Sequence, residues 1–153
     1  TYLFRNTMTA FVVGIFLTVA GQSSSITTSL IVPLAGAGVL RLQQIFPFTI
    51  GANLGTTITG LLAALAVAGQ PGIDPQLVLA GATVAFAHFL FNASGALIFL
   101  PFKRVREIPV LFAERLAELC LRNRAIPIAF IILVFYIIPI IITWTTIAEV
   151  LRK

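Results

Sequence analysis

Long apolar segments alternate along the chain with short polar or charged stretches. Four segments carry no charged side chain, namely 6–40, 42–73, 75–102 and 125–148. A hydrocarbon core of about 30 Å takes about 20 apolar residues per helix, so each segment is long enough to enter or cross a bilayer. The pattern therefore predicts an all-α integral membrane chain.

The first apolar segment has a polar interruption at its centre. Thr7 to Leu40 is too long for one untilted crossing, and a run of small and polar residues from Gly21 to Ser29 divides it. Non-helical backbone at membrane depth is tolerated only where it is buried in protein or lines a wet cavity. We therefore expect a re-entrant hairpin or a broken helix here.

The second apolar segment, Ile45 to Val67, contains a similar run from Gly51 to Thr57. Two glycines and an asparagine make helical continuity costly, which predicts a second break. The alternative is that Gly51 and Gly55, at the small-xxx-small spacing, let two helices approach closely. A turn over 69–75 then precedes a helix predicted over 76–100.

Charge is concentrated in one stretch, since Lys103 to Arg124 holds six of the ten Lys and Arg residues. Its apolar residues recur at helical spacing, so an amphipathic helix along the membrane interface is predicted. The positive-inside rule places this stretch in the cytoplasm, with Arg152 and Lys153 on the opposite side. The predicted organisation is a repeat with a hairpin over 1–102, a basic segment over 103–124 and a transmembrane helix over 125–153.

Composition excludes several classes of protein. Apolar residues make up 59% of the chain, charged residues 10%, and the mean hydropathy is +1.06, all outside the range of soluble domains. The net charge of +5 lies beside membrane spans, so no nucleic-acid partner is expected. With one His and one Cys, no catalytic triad or metal cluster can be assembled, and no phosphate-binding Gly-rich loop precedes a Lys. We expect neither an enzyme nor a bound cofactor.

The polar run in the first segment has the chemistry of an ion site. Seven of its side chains are able to form hydrogen bonds: Gln22, Ser23, Ser24, Ser25, Thr27, Thr28 and Ser29. Their oxygens can replace the hydration shell of sodium, while hydroxyl hydrogens and the N–H groups of a half-helix can bind an anion. No Lys or Arg lies within either polar run, so co-bound cations and helix dipoles would neutralise the anion. The alternative is that these residues only join helices.

Gln-Ser-Ser-Ser at 22–25, the 51–57 run and Ala87–Gly95 closely resemble the sodium-dependent phosphate cotransporter family, the type II sodium/phosphate symporters and their bacterial relatives. Members of that family carry two inverted repeats, each with a Gln-Ser-Ser-Ser signature in a re-entrant hairpin. The resemblance implies one half of an inverted-repeat transporter, here the second repeat. Its other repeat would then be a partner, because only one such signature occurs in these residues.

The resemblance implies that the hairpin tip binds phosphate and sodium. The expected phosphate ligands are Gln22, Ser23, Ser24, Ser25 and Asn53. The expected sodium ligands are Gln22, Ser23, Ser25, Thr56 and Thr57, to which the hydroxyl cluster itself adds Thr27 and Thr28.

The expected function is sodium-coupled symport of phosphate by alternating access in a multi-pass cell membrane protein, with the bacterial inner membrane favoured. Sodium would be a co-substrate and the lipid bilayer the surrounding partner. Two alternatives remain open at this point, namely transport of another small anion and a membrane scaffold that transports nothing.

Overall fold

A computed structural model describes the backbone of residues 4–151 and their side chains, except those at 146 and 149–151. All regular structure within these residues is helical, as predicted. The helices are α1 Thr7–Gly21, α2 Ser24–Gly36, α3 Leu42–Ala68, α4 Pro75–Phe99, α5 Lys103–Arg122, α6 Ala125–Ile132 and α7 Ile138–Leu151. Two compact units make up the chain, Thr1–Val110 and Leu111–Lys153. Arg152 and Lys153, the charges predicted on the non-cytoplasmic side, lie outside the described residues.

Helices α1 and α2 are each too short to cross a membrane. They contain 15 and 13 residues, which at 1.5 Å per residue gives about 22 Å and 20 Å against a core of about 30 Å. Only Gln22 and Ser23 separate them, so the break is much shorter than the predicted run from Gly21 to Ser29.

The two ends of the α1–α2 segment lie together, which identifies it as a hairpin. Phe4, before α1, and Leu40, after α2, belong to one buried cluster with Phe48 of α3. The rings of Phe4 and Phe48 are 5.5 Å apart, and Gln44 Nε2 donates to the Phe4 carbonyl oxygen at 3.1 Å. The chain therefore turns back at Gln22 and does not continue straight through.

Helix α3 is continuous over 27 residues, so the break predicted at Gly51–Thr57 is wrong. The alternative explanation of the glycines holds. A Cβ at Gly51 would overlap the carbonyl oxygen of Phe11, and a Cβ at Gly55 would lie 2.9 Å from that of Ile15. The glycines thus allow backbone contact between two helices, and that contact offsets their low helix propensity.

The glycine contacts also fix the direction of α1 relative to α3. Phe11 lies against Gly51 and Ile15 against Gly55, so a four-residue step in one helix matches a four-residue step in the other. The helices are therefore parallel. Because α3 continues to Ala68, the hairpin tip lies beside its second half, and α3 extends beyond the tip.

Helix α4 returns antiparallel to α3. Asp74 caps its first turn by accepting from Gln76 N at 2.9 Å, and Pro75 occupies the first helical position, where its missing N–H costs nothing. The rings of Phe46, early in α3, and Phe99, at the end of α4, make an edge-to-face contact at 5.7 Å.

Within residues 4–151, three helical spans are long and apolar enough to cross a membrane: Leu42–Ala68, Pro75–Phe99 and Ala125–Thr145. The most apolar window of α4 and that of the third span contain no buried residue. Outward-facing apolar side chains of this kind are suited to lipid rather than to water.

The second unit holds the end of α5 and the C-terminal span. A π-helical turn at Leu133–Ile137 joins α6 to α7, and Ile138 N donates to the carbonyl oxygen of Leu133 there. Pro139 explains the wider turn, because its ring would collide with the carbonyl four residues earlier and it has no N–H to donate. The chain is thus helical from Ala125 to Leu151, with one proline-adapted turn, and its crossing of a membrane stays a prediction.

Candidate functional site

The hairpin tip holds its first residue in a conformation that side chains rarely adopt. Gln22 is left-handed, at φ 51° and ψ 24°, and is the only non-glycine residue with positive φ in the described chain. Such a residue costs about 1–3 kcal/mol, so the surrounding structure must hold it in place. Gly21 directly precedes it but does not occupy the strained position. The tip therefore presents an amide side chain where a glycine would be less strained.

The start of α2 presents free backbone N–H groups at the tip. Ser23 is the N-cap residue, and its hydroxyl accepts from Ile26 N at 3.3 Å. The helical hydrogen-bond pattern leaves the N–H groups of Ser24 and Ser25 without an intrahelical acceptor. Together with the positive end of the helix dipole, these groups can bind an anion.

Hydroxyl oxygens surround this helix start at different depths. Ser25 is exposed, Ser24 and Thr28 are half-buried, and Thr27 is buried. Thr27 Oγ1 donates to the carbonyl oxygen of Ser23 at 2.9 Å. A hydroxyl that donates to a carbonyl keeps lone pairs that can coordinate a cation. The tip thus combines anion donors with cation ligands within a few residues.

Both predicted threonines of α3 donate to carbonyl oxygens of their own helix. Thr57 is buried and donates to the carbonyl oxygen of Leu54 at 2.7 Å, and half-buried Thr56 donates to that of Ala52 at 3.0 Å. Thr56 directly follows Gly55, which contacts α1, whereas Thr57 is two residues from Gly55 and four from Asn53 and so lies on the Asn53 side of α3. Their hydroxyl lone pairs remain available to a cation.

Asn53 lies on the side of α3 that faces away from α1. It is two residues from both Gly51 and Gly55, so it projects away from α1. It lines a cleft of about 450 Å³ between α3 and α4, together with Asn92 and Ser94 and mostly apolar side chains. Within the described chain, Asn53 is therefore not brought to the hairpin tip, and its role in phosphate binding stays a prediction.

The structure adds a residue that the sequence did not single out. Thr18 is buried in α1, its Cβ lies where a Cβ at Gly55 would approach it to 2.9 Å, and its hydroxyl has no hydrogen-bond partner in the described chain. A single threonine within an apolar helix carries no signal of its own. The only available clue was its position, one helical turn before Gln22.

The chain matches the Na+/Pi-cotransporter family over residues 1–151. Sodium-dependent phosphate transport protein 2B of Homo sapiens is 37% identical over 131 residues, which cover 86% of this chain and 18% of that protein. Protein 2A of Ovis aries is 38% identical, with 85% and 19% covered, and protein 2C of Rattus norvegicus is 39% identical, with 86% and 21% covered.

The chain thus spans roughly a fifth of the length of the curated relatives it matches. No solved structure matches it. The relatives are transport proteins and not enzymes, as the sequence predicted, and their names specify sodium and phosphate. Both the extent of the family match and these identities lead to one conclusion: the chain belongs to the Na+/Pi-cotransporter family.

Proposed function

We propose that this chain supplies one repeat of the binding site of a sodium-coupled phosphate symporter that works by alternating access. The observation that carries the proposal is the hairpin tip, where α2 begins with the N–H groups of Ser24 and Ser25 free. The relatives' dependence on sodium, and their transport of phosphate, support this assignment of ions.

The electrostatics of the hairpin tip favour coupling between sodium binding and phosphate binding. No charged residue lies between Arg5 and Arg41, and these two arginines flank the base of the hairpin, about 22 Å along α1 from the tip. Phosphate at the tip would therefore depend on helix dipoles and on bound sodium for neutralisation. Sodium would raise phosphate affinity, and by linkage phosphate would raise sodium affinity equally.

Packing suggests which parts would move together. Glycine contacts join the backbones of α1 and α3 at Gly14, Gly51 and Gly55, where neighbouring atoms leave no room for a side chain. Helices in such close contact cannot slide without overlap, so α1 and α3 would move as one body. The change in exposure would then be a movement of this body against the remainder of the transporter.

The proposal includes the partner and the location. The second half of the site would come from another repeat with its own Gln-Ser-Ser-Ser, outside these residues. The proposed location is a multi-pass position in the cell membrane, which the family and the three apolar spans support. The only argument for the bacterial inner membrane is the compactness of the chain. The relatives named above are mammalian and do not support that placement.

Uptake into proteoliposomes tests the function. Vesicles containing the complete polypeptide that carries this chain would receive radiolabelled phosphate under an inward gradient of sodium or of potassium. We expect uptake only with sodium, and a loss of at least tenfold in Ser24→Ala. Ser29→Ala is the matched control, because Ser29 is an exposed serine of the same helix, more than one turn from the tip.

The other outcomes separate the alternatives. Equal uptake in sodium and potassium would remove sodium coupling. Strong competition by sulfate would indicate a broader oxyanion transporter. Normal uptake in Ser24→Ala would return the serine cluster to a helix-packing role.

A further inference from the structure

Three large apolar side chains share one side of the second half of α5 and form what we call its apolar face. Phe112, Leu116 and Leu119 are four and three residues apart, so at about 100° per residue they lie within about 60° of one another. Phe112 is 69% exposed and Leu119 is 47% exposed. Neither α6 nor α7 packs along this part of α5 in the described residues. The apolar face is therefore uncovered within its own compact unit.

The charged side chains of this half of α5 are sorted around the apolar face. Arg115 and Arg122 lie within about 90° of the centre of the face, both along the same edge. Glu114 and Glu118 lie more than about 120° from that centre. Positive charge thus borders the apolar face, and negative charge lies on the far side of the helix.

Both arginines are available to an anionic partner. Arg115 and Arg122 are exposed, and neither forms an ion pair within the residues that the structure describes. Glu118 precedes Arg122 by four residues, which is the spacing of a helical ion pair, yet the two side chains are not paired. The guanidinium groups can therefore form charge-assisted hydrogen bonds with phosphate or carboxylate.

The end of α5 lies next to a span that is apolar enough to cross a membrane. Arg122 is the last residue of α5, and the span Ala125–Thr145 begins three residues later. Residues just before a chain enters the hydrocarbon lie at the level of the lipid headgroups. The positive-inside rule predicts the cytoplasmic side for this stretch, where the leaflet carries anionic lipids.

We propose that the second half of α5 lies along the membrane surface and that Arg115 and Arg122 bind the phosphate groups of anionic phospholipids. The apolar face would enter the boundary between headgroups and acyl chains. An arginine at the edge of such a face can cover apolar surface with its methylene stem while its guanidinium group reaches the headgroups. Glu114 and Glu118 would then face water, away from the negative headgroups.

The sorting of charge favours lipid over a protein as the cover of the apolar face. A lipid surface presents negative charge along the whole border of its apolar region, and arginines along one edge with carboxylates on the far side match that arrangement. A protein partner would not require this sorting. The inference goes beyond the proposed function and does not depend on it.

Nitroxide labels on the complete polypeptide in vesicles test the orientation of α5. Phe112→Cys would carry the label on the apolar face, and Glu118→Cys is the matched control on the charged side. Both are made with the native cysteines replaced, Cys120 among them. We expect the label at position 112 to collide mainly with oxygen, which concentrates in lipid, and the label at 118 mainly with a water-soluble nickel chelate.

Two other results would overturn the proposed orientation. Low access of both reagents to the label at position 112 would show that protein covers the apolar face. Preferential access of the nickel chelate to that label would show that the face lies in water.

Thermal unfolding of the complete polypeptide in neutral detergent tests the charge of the lipid. Phosphatidylglycerol should raise Tm, and phosphatidylcholine should not. The phosphatidylglycerol concentration that gives half of the rise should increase about fivefold in Arg115→Gln and about fivefold again when Arg122→Gln is added, a factor that corresponds to about 1 kcal/mol per arginine. Replacing both arginines by lysine should preserve most of the effect.

Lys103→Gln is the matched control for the removal of positive charge. Lys103 belongs to the same helix but already pairs with Glu107 at 3.7 Å, so its loss should leave the half-rise concentration unchanged. Arg122 lies in the last turn of α5, where positive charge also stabilises the helix dipole. A purely structural role of the arginines would lower Tm equally with and without phosphatidylglycerol, and that result would overturn the lipid assignment.

Inorganic phosphate separates the lipid headgroup from the transported ion. Any rise in Tm that inorganic phosphate produces in sodium should be the same in wild type and in the double variant. Loss of that rise in the double variant would overturn the assignment to lipid. A wild type without sodium-dependent uptake would overturn the proposed function and leave the assignment of α5 intact.

Discussion

Two stretches of similar composition, Gly21–Ser29 and Gly51–Thr57, adopt different structures. The first contains a turn of two residues followed at once by α2, and the second is uninterrupted helix. Gly21 faces open space, whereas Gly51 meets the backbone of α1. Small and polar residues in an apolar segment therefore indicate either a turn in the backbone or a close contact with the backbone of another helix. The tertiary contacts decide between the two.

The largest effect should come from filling the glycine contact. Gly51→Ala should lower the free energy of unfolding by about 3 kcal/mol, because the new methyl group would overlap the carbonyl oxygen of Phe11 and backbone cannot rotate away. Thermal unfolding of the complete polypeptide in detergent measures the change. Gly60→Ala in the same helix is the control, since nothing lies within 4 Å of its Cβ position. It should gain up to about 1 kcal/mol from helix propensity. Similar losses in both variants would show that close approach does not explain the continuous helix.

At the hairpin tip, removing the hydroxyl of the N-cap residue Ser23 should lower stability more than removing that of Ser25. Ser23→Ala should cost about 1 kcal/mol, because Ile26 N loses the hydroxyl that caps α2. Ser25→Ala should change stability by less than about 0.5 kcal/mol, since Ser25 is exposed and its hydroxyl has no hydrogen bond within the described chain. Denaturant unfolding gives the stabilities, and phosphate uptake should fall in both. Full phosphate uptake by the Ser25→Ala variant would show that the Ser25 hydroxyl is not part of the binding site.

Relieving the backbone strain at Gln22 should raise stability by a smaller amount. Gln22→Gly should raise stability by up to about 1 kcal/mol, because glycine accepts the positive φ without cost. Uptake should fall, because the amide is removed. The paired measurements are Tm and sodium-driven uptake, and a variant that gains stability while keeping full uptake would show that the amide is not a ligand.

The smallest change in stability is expected at Asn53. Its side chain is exposed, so Asn53→Ala should alter unfolding by less than about 0.5 kcal/mol. The phosphate KM should rise severalfold, because the exposed amide on the α3–α4 cleft is free to complete a site with another part of the transporter. Asn92→Ala, on the facing side of the cleft, is the control. An unchanged KM in Asn53→Ala would confine the site to the hairpin.

Much of the candidate site could be located from the sequence. The clustering of Gln22 to Ser25 in an uncharged segment was sufficient to predict a re-entrant hairpin or a broken helix, and the shared contact of Phe4 and Leu40 with Phe48 favours the hairpin. The extent of the break was not predictable in the same way. Serine favours turns and helix caps alike, so the pattern could not say that Ser24 to Ser29 would continue as helix.

The sequence by itself predicted that the chain lies in a bilayer, that it is helical and that its first apolar segment has a polar centre. The reason is that length, apolar content and absence of charge are local properties that constrain any chain in a bilayer. Only the tertiary structure decided that α3 is continuous, that Asn53 faces α4, and that Thr18 is buried without a partner. The physical reason is the same in each case. Whether a glycine breaks a helix, or a threonine bonds its own backbone, depends on which atoms of another helix lie against it.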